Sequence, residues 1–261
     1  MEERLGAILV LRGQPCALTN LGKALTAHFD KVQLLEADLG PALGTKAVSS
    51  APPVTLKVAV NADGLGTWFP HAVAGFTQIT GIMLDVVLED EGHASDRLRS
   101  GEVVAAVTAD PNPVQGCKTI PLGTLRYVAC ASPAFVDRHF PDGVDPSRLA
   151  GAPYLRFDRR DWLQARWARD AHGTELGTAV HWMPSTQAFL DFALLGVAWG
   201  LQPVLLAQPH IAAGRLVELP PAMPLDVMLY WTVARLHAAS LRALTDAVVK
   251  AASDNLQACT S

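Results

Sequence analysis

Residues 56–76 read Leu-Lys-Val-Ala-Val-Asn-Ala-Asp-Gly-Leu-Gly-Thr-Trp-Phe-Pro-His-Ala-Val-Ala-Gly-Phe, which is an apolar run, a polar turn and a second, longer apolar run. The pattern predicts a strand over Leu56–Val60 and a helix over Trp68–Phe76. Strand and helix alternate in this way through about 200 residues, and such alternation is typical of a parallel sheet covered by helices. We therefore predict an α/β fold that is long enough for two lobes.

The remaining elements are predicted from apolar runs that turn residues separate. Further strands are predicted over Asp85–Leu88, Val103–Thr108, Arg126–Ala131, Tyr154–Phe157, Val180–Met183, Val197–Leu201, Leu216–Glu218 and Val227–Val233. Further helices are predicted over Ala94–Arg99, Pro133–His139, Trp162–Asp170, Thr186–Leu195, Val204–Gln208 and Ser240–Ala252.

A long helix is predicted upstream of this α/β region. Thr19 has a side chain that is preferred at an N-cap, so we expect the helix to begin there. Side chains of one stripe then recur at alternating steps of four and three; they are Leu21, Leu25, His28, Val32, Leu35 and Leu39. This a/d stripe suits a helix that packs against a partner helix, although an amphipathic helix on its own domain has the same pattern. Gly40, Pro41 and Gly44 are expected to end the helix, and residues 45–53 to form a linker.

Composition limits the classes of protein to which this chain can belong. Its 261 residues are 50% hydrophobic and 18% charged, as in soluble globular proteins, and no apolar run approaches the length of a membrane span. The acidic start Met-Glu-Glu-Arg lacks the features of a secretory signal, so we expect a cytoplasmic protein with no membrane partner. The net charge of -4 gives no whole-chain case for nucleic acid, and a local surface would have to contact it.

Motifs of catalysis and metal binding are absent from the sequence. Gly64-Leu-Gly66 is not followed by the third glycine of a dinucleotide fingerprint, and there is no phosphate loop or nucleophile elbow. Four scattered cysteines and eight dispersed histidines have no metal-ligand spacing. We expect no cofactor, no metal and no enzymatic activity, and an enzyme assembled from distant residues is the least favoured alternative.

The first residues carry a specific resemblance. Glu2–Arg12 (Glu-Glu-Arg-Leu-Gly-Ala-Ile-Leu-Val-Leu-Arg) and Leu18–Leu25 (Leu-Thr-Asn-Leu-Gly-Lys-Ala-Leu) resemble one segment of LysR-type transcriptional regulators. The resemblance implies the end of a recognition helix and a wing over 1–18, as the remnant of a winged helix-turn-helix. It implies a linker and dimerisation helix over 19–44. Because Met1 falls at the last turn or so of the recognition helix, we expect the chain as numbered to lack most of the DNA-reading head.

Within these segments the resemblance implies specific partners and contacts. Arg12 of the wing is the candidate DNA-binding residue, since wing residues often position a protein on phosphates, although it also fits a solvated arginine. The family usually acts as a dimer of dimers, so we expect a homodimer or homotetramer. The candidate dimerisation residues are the apolar members of the stripe: Leu21, Leu25, Val32, Leu35 and Leu39.

Motifs further along the chain narrow the resemblance to ArgP-like regulators, which control the export of basic amino acids. These motifs are Val60–Phe69, Glu89–Glu91, Arg99–Val107, Phe157–Arg159, Pro184–Leu190 and Leu229–Trp231. The sequence departs from the subfamily at Gly64 and Gly66, where Ser and Ala are usual. The resemblance implies lysine or arginine as the effector.

The implied effector-binding domain is of the two-lobed periplasmic-binding-protein type and covers 54–255. Lobe I is expected at about 54–128 and 226–255, and lobe II at about 129–225. In folds of this class a small ligand lies between the lobes, at strand ends and helix N-termini. The free N–H groups of a helix N-terminus suit a ligand carboxylate.

Two polar turns are the candidate contacts of the effector, although their residues are also ordinary helix caps. The turns are Asn61-Ala62-Asp63 and Ser185-Thr186. A basic side chain also needs an anionic partner, because an unpaired buried cation costs on the order of several kcal/mol. The carboxylates nearest the predicted strand ends are Asp63, Glu91, Asp110 and Asp158. Asp110 precedes a proline and fits a solvated turn equally well.

Other side chains near the predicted strand ends supply neutral or aromatic groups. Thr108 and Gln202 are candidates for neutral hydrogen bonds to the effector. Trp68 and Phe69 fit core packing better than a cation-binding cage, and Trp199 is expected in the core. The sequence thus predicts a ligand-responsive transcriptional regulator. A solute-binding protein for an amino acid shares the fold, but the acidic N-terminus and the stripe argue against it.

Overall fold

A computed structural model describes residues 1–42, 55–89 and 94–258, with residues 37–42 described by their backbone alone. The strands are β1 (Val10–Leu11), β2 (Ala17–Leu18), β3 (Thr55–Asn61), β4 (Met83–Glu89), β5 (Ala105–Thr108), β6 (Cys117–Ala131), β7 (Tyr154–Arg156), β8 (Val180–Trp182), β9 (Gly200–Pro203), β10 (Val217–Glu218) and β11 (Leu225–Ala234). The helices are α1 (Glu2–Leu5), α2 (Asn20–Ala42), α3 (Ala62–Gly66), α4 (Phe69–Thr80), α5 (Ala94–Ser100), α6 (Pro133–His139), α7 (Pro146–Gly151), α8 (Leu163–His172), α9 (Thr186–Leu194), α10 (Val204–Ala212) and α11 (Ala239–Asn255). This order of elements confirms the predicted α/β class.

A short hairpin precedes the long helix. β1 and β2 pair antiparallel, and Thr19 joins the hairpin to α2. The hydroxyl of Thr19 accepts a hydrogen bond from the N–H of Gly22 at 3.1 Å and donates one to the carbonyl of Ile8 at 2.8 Å. Thr19 is therefore the N-cap, as predicted. A Cβ on Gly22 would clash with the carbonyl oxygen of Leu9, so glycine lets the helix approach the hairpin closely.

Helix α2 is buried along a different line from the predicted stripe. Ala27 and Leu34 are 6% and 2% exposed, whereas Leu21 and Leu35 of the stripe are 44% and 39% exposed. The helix ends at Ala42, which lies between Pro41 and Gly44, two of the three residues expected to end it. The predicted linker and the side chain of Leu39 lie outside the part that the structure describes.

The chain divides into two compact units. The first comprises Met1–Asn61, Pro70–Pro121 and Tyr230–Ala252. In it, β3 pairs parallel with β4 and β5, and β5 pairs antiparallel with β11. One of its apolar clusters joins Ala59, Ala94, Leu98, Val103, Ala106, Val114 and Cys117. The parallel strands and their covering helices are those that the strand and helix alternation predicts.

The second unit comprises Ala62–Phe69, Leu122–Leu229 and Ser253–Ser261. In it, β6 pairs antiparallel with β9 and β10, and β7 pairs parallel with β8. Its apolar cluster joins Val128, Cys130, Leu155, Phe189, Leu190, Ala193, Ala198, Ala207 and Leu216. Burial raises the pKa of the Cys130 thiol to about 12. That cysteine is therefore a core residue rather than a nucleophile.

The structure confirms the helix that follows the first polar turn and adds a short one before it. The helix predicted over Trp68–Phe76 is α4, which begins one residue later and continues to Thr80, whereas the five-residue helix α3 was not predicted. Pro70 follows the first residue of α4, where its missing N–H costs no helical hydrogen bond. Trp68 and Phe69 are fully buried, so they belong to the core rather than to an exposed cation cage. Within the described ranges, no helix is both long and apolar enough to span a bilayer.

Candidate functional site

Within the second unit, helix α3 carries a carboxylate that polar groups of the same unit hold. Asp63 lies in α3 and accepts a hydrogen bond from the hydroxyl of Tyr127 at 2.8 Å. Its other carboxylate oxygen accepts a hydrogen bond from the hydroxyl of Thr186, also at 2.8 Å. Two of the predicted site residues, Asp63 and Thr186, are thus in direct contact although 123 positions separate them.

The charge of Asp63 has no cationic partner among the residues that the structure describes. Burial raises the pKa of the Asp63 carboxyl, and the hydrogen bonds from Tyr127 and Thr186 lower it. The residue as a whole is half-buried rather than fully enclosed. A carboxylate that two hydroxyl donors hold in place, and that has no ion pair, can accept a ligand cation.

The carboxyl ends of β7 and β8 lie side by side in the same unit. Arg156 and Trp182 are the last residues of these parallel strands and are paired in register. The first helix after β7 is α8 and the first after β8 is α9, so two helix N-termini follow these strand ends. In open α/β sheets, ligands bind at the carboxyl ends of parallel strands.

Asp161 is a carboxylate that sequence reasoning missed. Its oxygens accept hydrogen bonds from the N–H of Phe157 at 2.8 Å and of Leu163 at 3.1 Å. Burial raises its pKa, the hydrogen bonds and Arg156 lower it, and the negative charge of Asp63 raises it. The two carboxylates are therefore close enough to repel each other. The available signal was an aspartate near the start of a predicted helix, where aspartate is a preferred cap.

The turn before α9 performs two tasks. Ser185 is the N-cap, and its hydroxyl accepts a hydrogen bond from the N–H of Ala188 at 3.3 Å. The structure therefore supports the helix-cap interpretation for Ser185. Thr186 uses its hydroxyl to hold Asp63. A Cβ on Gly66 would lie 3.2 Å from the methyl group of Thr186, so the glycine that departs from the subfamily pattern leaves room for this threonine.

Asp158 and Gln202 lie in the second unit, and each forms hydrogen bonds with backbone groups of that unit. A carboxylate oxygen of Asp158 accepts hydrogen bonds from the N–H groups of Arg160 at 2.7 Å and Asp161 at 3.0 Å, which closes a turn. Gln202 is fully buried and its amide donates to the carbonyl of Phe189 at 3.1 Å. Its Oε1 is buried without a hydrogen-bond partner among the described residues.

The candidates of the first unit are arranged differently. Asn61 ends β3, and its buried Oδ1 has no hydrogen-bond donor in the part of the chain that is described. Thr108 accepts a hydrogen bond from the N–H of Asp110 at 3.0 Å. Asp110 in turn accepts from the N–H and the side-chain amide of Asn112, at 2.9 and 2.6 Å. This local turn supports the solvated alternative for Asp110, and Glu91 lies outside the described residues.

The remaining residues singled out from the sequence lie in α3, the hairpin and the core. Ala62 begins α3 and contributes no polar side-chain group. Arg12 is exposed and follows β1 in the hairpin. Trp199 is fully buried, as expected of a core residue. Within residues 1–42, 55–89 and 94–258, no three histidine, cysteine or acidic side chains are grouped so as to hold a metal ion.

Known proteins resemble this chain over nearly its whole length. Residues 50–253 match the family model of the LysR substrate binding domain. The HTH-type transcriptional regulator ArgP of Pseudomonas aeruginosa is 39% identical over 256 residues, which are 98% of this chain and 85% of that protein.

Two solved structures share both the fold and part of the sequence. The C-terminal domains of a LysR family protein from Agrobacterium tumefaciens superpose with a TM-score of 0.76 at 50% identity, over 78% of this chain and 99% of that one. The full-length LysG regulator from Corynebacterium glutamicum with bound effector Arg superposes with a TM-score of 0.76 at 37% identity. That match covers 98% of this chain and 86% of the LysG chain.

Proposed function

This chain belongs to the LysR family of transcriptional regulators, and we propose that it regulates transcription in response to a basic amino acid, L-arginine or L-lysine. The observation that carries the proposal is the Asp63 carboxylate, which two hydroxyl groups hold and which no described cation pairs. The LysG relative that has arginine as its bound effector supports this class of ligand.

The effector is proposed to use the second unit for its cationic group. Burial raises the pKa of both Asp63 and Asp161, and a guanidinium or ammonium group bound beside them would stabilise their ionised forms. The other candidates in this unit are proposed to support the site. Asp158 and Ser185 stabilise the turns around it, and the buried Oε1 of Gln202 is an acceptor for the effector. Asn61, Ala62, Thr108 and Asp110 remain proposed contacts.

Regulation follows if the effector has different affinities for two states of the protein. The genes that we propose it controls are those of amino acid export or metabolism. Its named relatives are transcriptional regulators, which supports a binding function rather than catalysis and favours this proposal over an amino acid carrier. The proposed domains are the DNA-binding remnant over 1–18 with Arg12, the dimerisation helix over 19–44 and the effector domain over 54–255.

Calorimetry tests the effector directly. L-Arginine or L-lysine should bind the wild-type chain, whereas L-leucine and L-glutamate should not. Asp63→Asn should weaken binding about tenfold or more, because a charge-assisted hydrogen bond is lost. It should not lower the melting temperature of the ligand-free protein, since burial already disfavours the ionised carboxyl.

Asp246, which is exposed on α11, provides the matched control. Asp246→Asn removes the same charge from the chain and should leave the affinity unchanged. If neither basic amino acid binds the wild type, or if a neutral or acidic metabolite binds better, the proposed effector class is wrong.

A further inference from the structure

Arg156, at the end of β7, has a buried donor without an acceptor. Its guanidinium lies 5.0 Å from the ring centroid of Trp182, and its Nη2 donates to the carbonyl of Arg159 at 3.2 Å. Its Nε is buried and has no hydrogen-bond partner in the described part of the chain. An unmatched charged donor is costly in the interior of a protein, so this group points to an acceptor that binds from outside the chain.

The nearby carboxylate of Asp161 does not meet this need. Its two oxygens accept hydrogen bonds from the backbone N–H groups of Phe157 and Leu163. Asp161 influences Arg156 through its charge, but among the described residues Arg156 forms no ion pair with it or with any other carboxylate. The guanidinium is held by an aromatic ring and a carbonyl oxygen, neither of which carries a full negative charge.

The second unit thus contains unmatched groups of both signs. Asp63 is a carboxylate that forms no ion pair with a described residue, and Arg156 is a cation that forms no ion pair with a described residue and has an unpartnered Nε. The charges of both residues act on the carboxyl of Asp161, because Asp63 raises its pKa and Arg156 lowers it. This arrangement is complementary to a molecule that carries a cationic group and a carboxylate.

We propose that Arg156 binds the α-carboxylate of the effector and so restricts the site to intact amino acids. The proposal rests on the proposed function and adds a specificity-determining residue to it. The planar fork of a guanidinium matches a carboxylate with two parallel hydrogen bonds. The contact with Trp182 restricts the guanidinium before the ligand binds. Less conformational entropy of the Arg156 side chain is therefore lost on binding.

Agmatine tests this role because it has the guanidinium and amine of arginine but no carboxylate. The wild type should bind L-arginine at least about tenfold more tightly than agmatine in calorimetry, since one charge-assisted contact is lost with agmatine. In Arg156→Gln this ratio should fall close to one, through weaker binding of L-arginine and unchanged binding of agmatine. Arg156→Lys keeps the charge without the fork and should give an intermediate ratio.

Arg159 provides the matched control, because it is exposed and its guanidinium lies 4.0 Å from the same Trp182 ring. Arg159→Gln should keep the wild-type preference. The ratio of two affinities measured on one protein does not depend on its folded fraction, so partial unfolding cannot imitate the effect.

Two outcomes separate this inference from the proposed function. If the wild type binds L-arginine and Arg156→Gln keeps the full preference over agmatine, Arg156 does not bind the carboxylate and only this inference fails. If the wild type binds neither L-arginine nor L-lysine, the proposed function fails and the inference fails with it.

Discussion

The charge of Asp63 depends on two hydroxyl groups that oppose the effect of burial. Burial favours the neutral carboxyl, whereas the donors Tyr127 and Thr186 stabilise the carboxylate. A cationic effector needs the ionised form. Its affinity should therefore rise as the pH rises through the raised pKa of Asp63, and it should be lost below that pKa, where the carboxyl is neutral.

Tyr127→Phe removes one of the two donors and leaves the ring in place. Because the pKa of Asp63 then rises further, we expect L-arginine binding to weaken by roughly tenfold at the lower of two pH values and by less at the higher one. Calorimetry at the two pH values measures this difference. Tyr154→Phe is the control, since the hydroxyl of Tyr154 donates to the carbonyl of Gly177 instead. Equal losses at both pH values would contradict the role of Tyr127.

Sequence reasoning found the polar turns of this site but not the contacts between them. Asn, Ser, Thr and Asp at strand ends are local signals, so Asp63 and Thr186 were identifiable from their positions. That their side chains meet depends on packing over 123 positions, which no local pattern specifies. Arg156 was missed because an arginine at the end of an apolar run has no distinguishing pattern, and its burial depends on Trp182.

Helix α2 carries an apolar stripe, exposed at Leu21 and Leu35 and half-buried at Leu25 and Val32, beside a separate buried line. Gly22, Ala27 and Leu34 are buried in the chain itself, so they do not account for Leu21 and Leu35, which remain exposed. Apolar side chains that recur at steps of four and three and keep exposed surface are typical of a helix that pairs with another. This arrangement favours the partner-helix interpretation of the stripe over the single-domain one.

Replacing Leu25 and Leu35 together with lysine should lower the association state in sedimentation, because two charges then enter the apolar seam. Thr26→Lys with Gln33→Lys is the matched control, since these positions are exposed, lie off the stripe and receive the same two lysines. The control should keep the wild-type assembly. An unchanged oligomer in the Leu25→Lys, Leu35→Lys variant would show that the stripe is not the interface.

Element types were more predictable than element limits. Strand and helix alternation predicts the parallel pairing of β3, β4 and β5, because apolar runs of this length need two covered faces. The short helix α3 was missed, because it contains Gly64 and Gly66 and glycine has a low helix propensity. Short α7 was also missed because its six residues contain no apolar repeat.

The net charge of the whole chain does not indicate its family. A net charge of -4 offers no general attraction to DNA. The short motifs near the N-terminus and at the strand ends carried the resemblance that the family match then confirmed. In a protein of this kind the informative charges are local, as with Asp63, Asp161 and Arg156.

Binding of a ligand to the folded chain alone must stabilise the whole molecule. At a concentration one hundred times its dissociation constant, a single-site ligand adds about 2.7 kcal/mol to the free energy of unfolding. For a domain of this size that corresponds to a rise of roughly 5–10 °C in melting temperature. L-Arginine or L-lysine should produce this rise in differential scanning fluorimetry, and the rise should grow with the logarithm of the concentration. Asp63→Asn should require about tenfold more ligand for the same rise, since its affinity is lower by that factor. If L-leucine gave the same stabilisation as L-arginine, the gain would not come from the charged groups of the site.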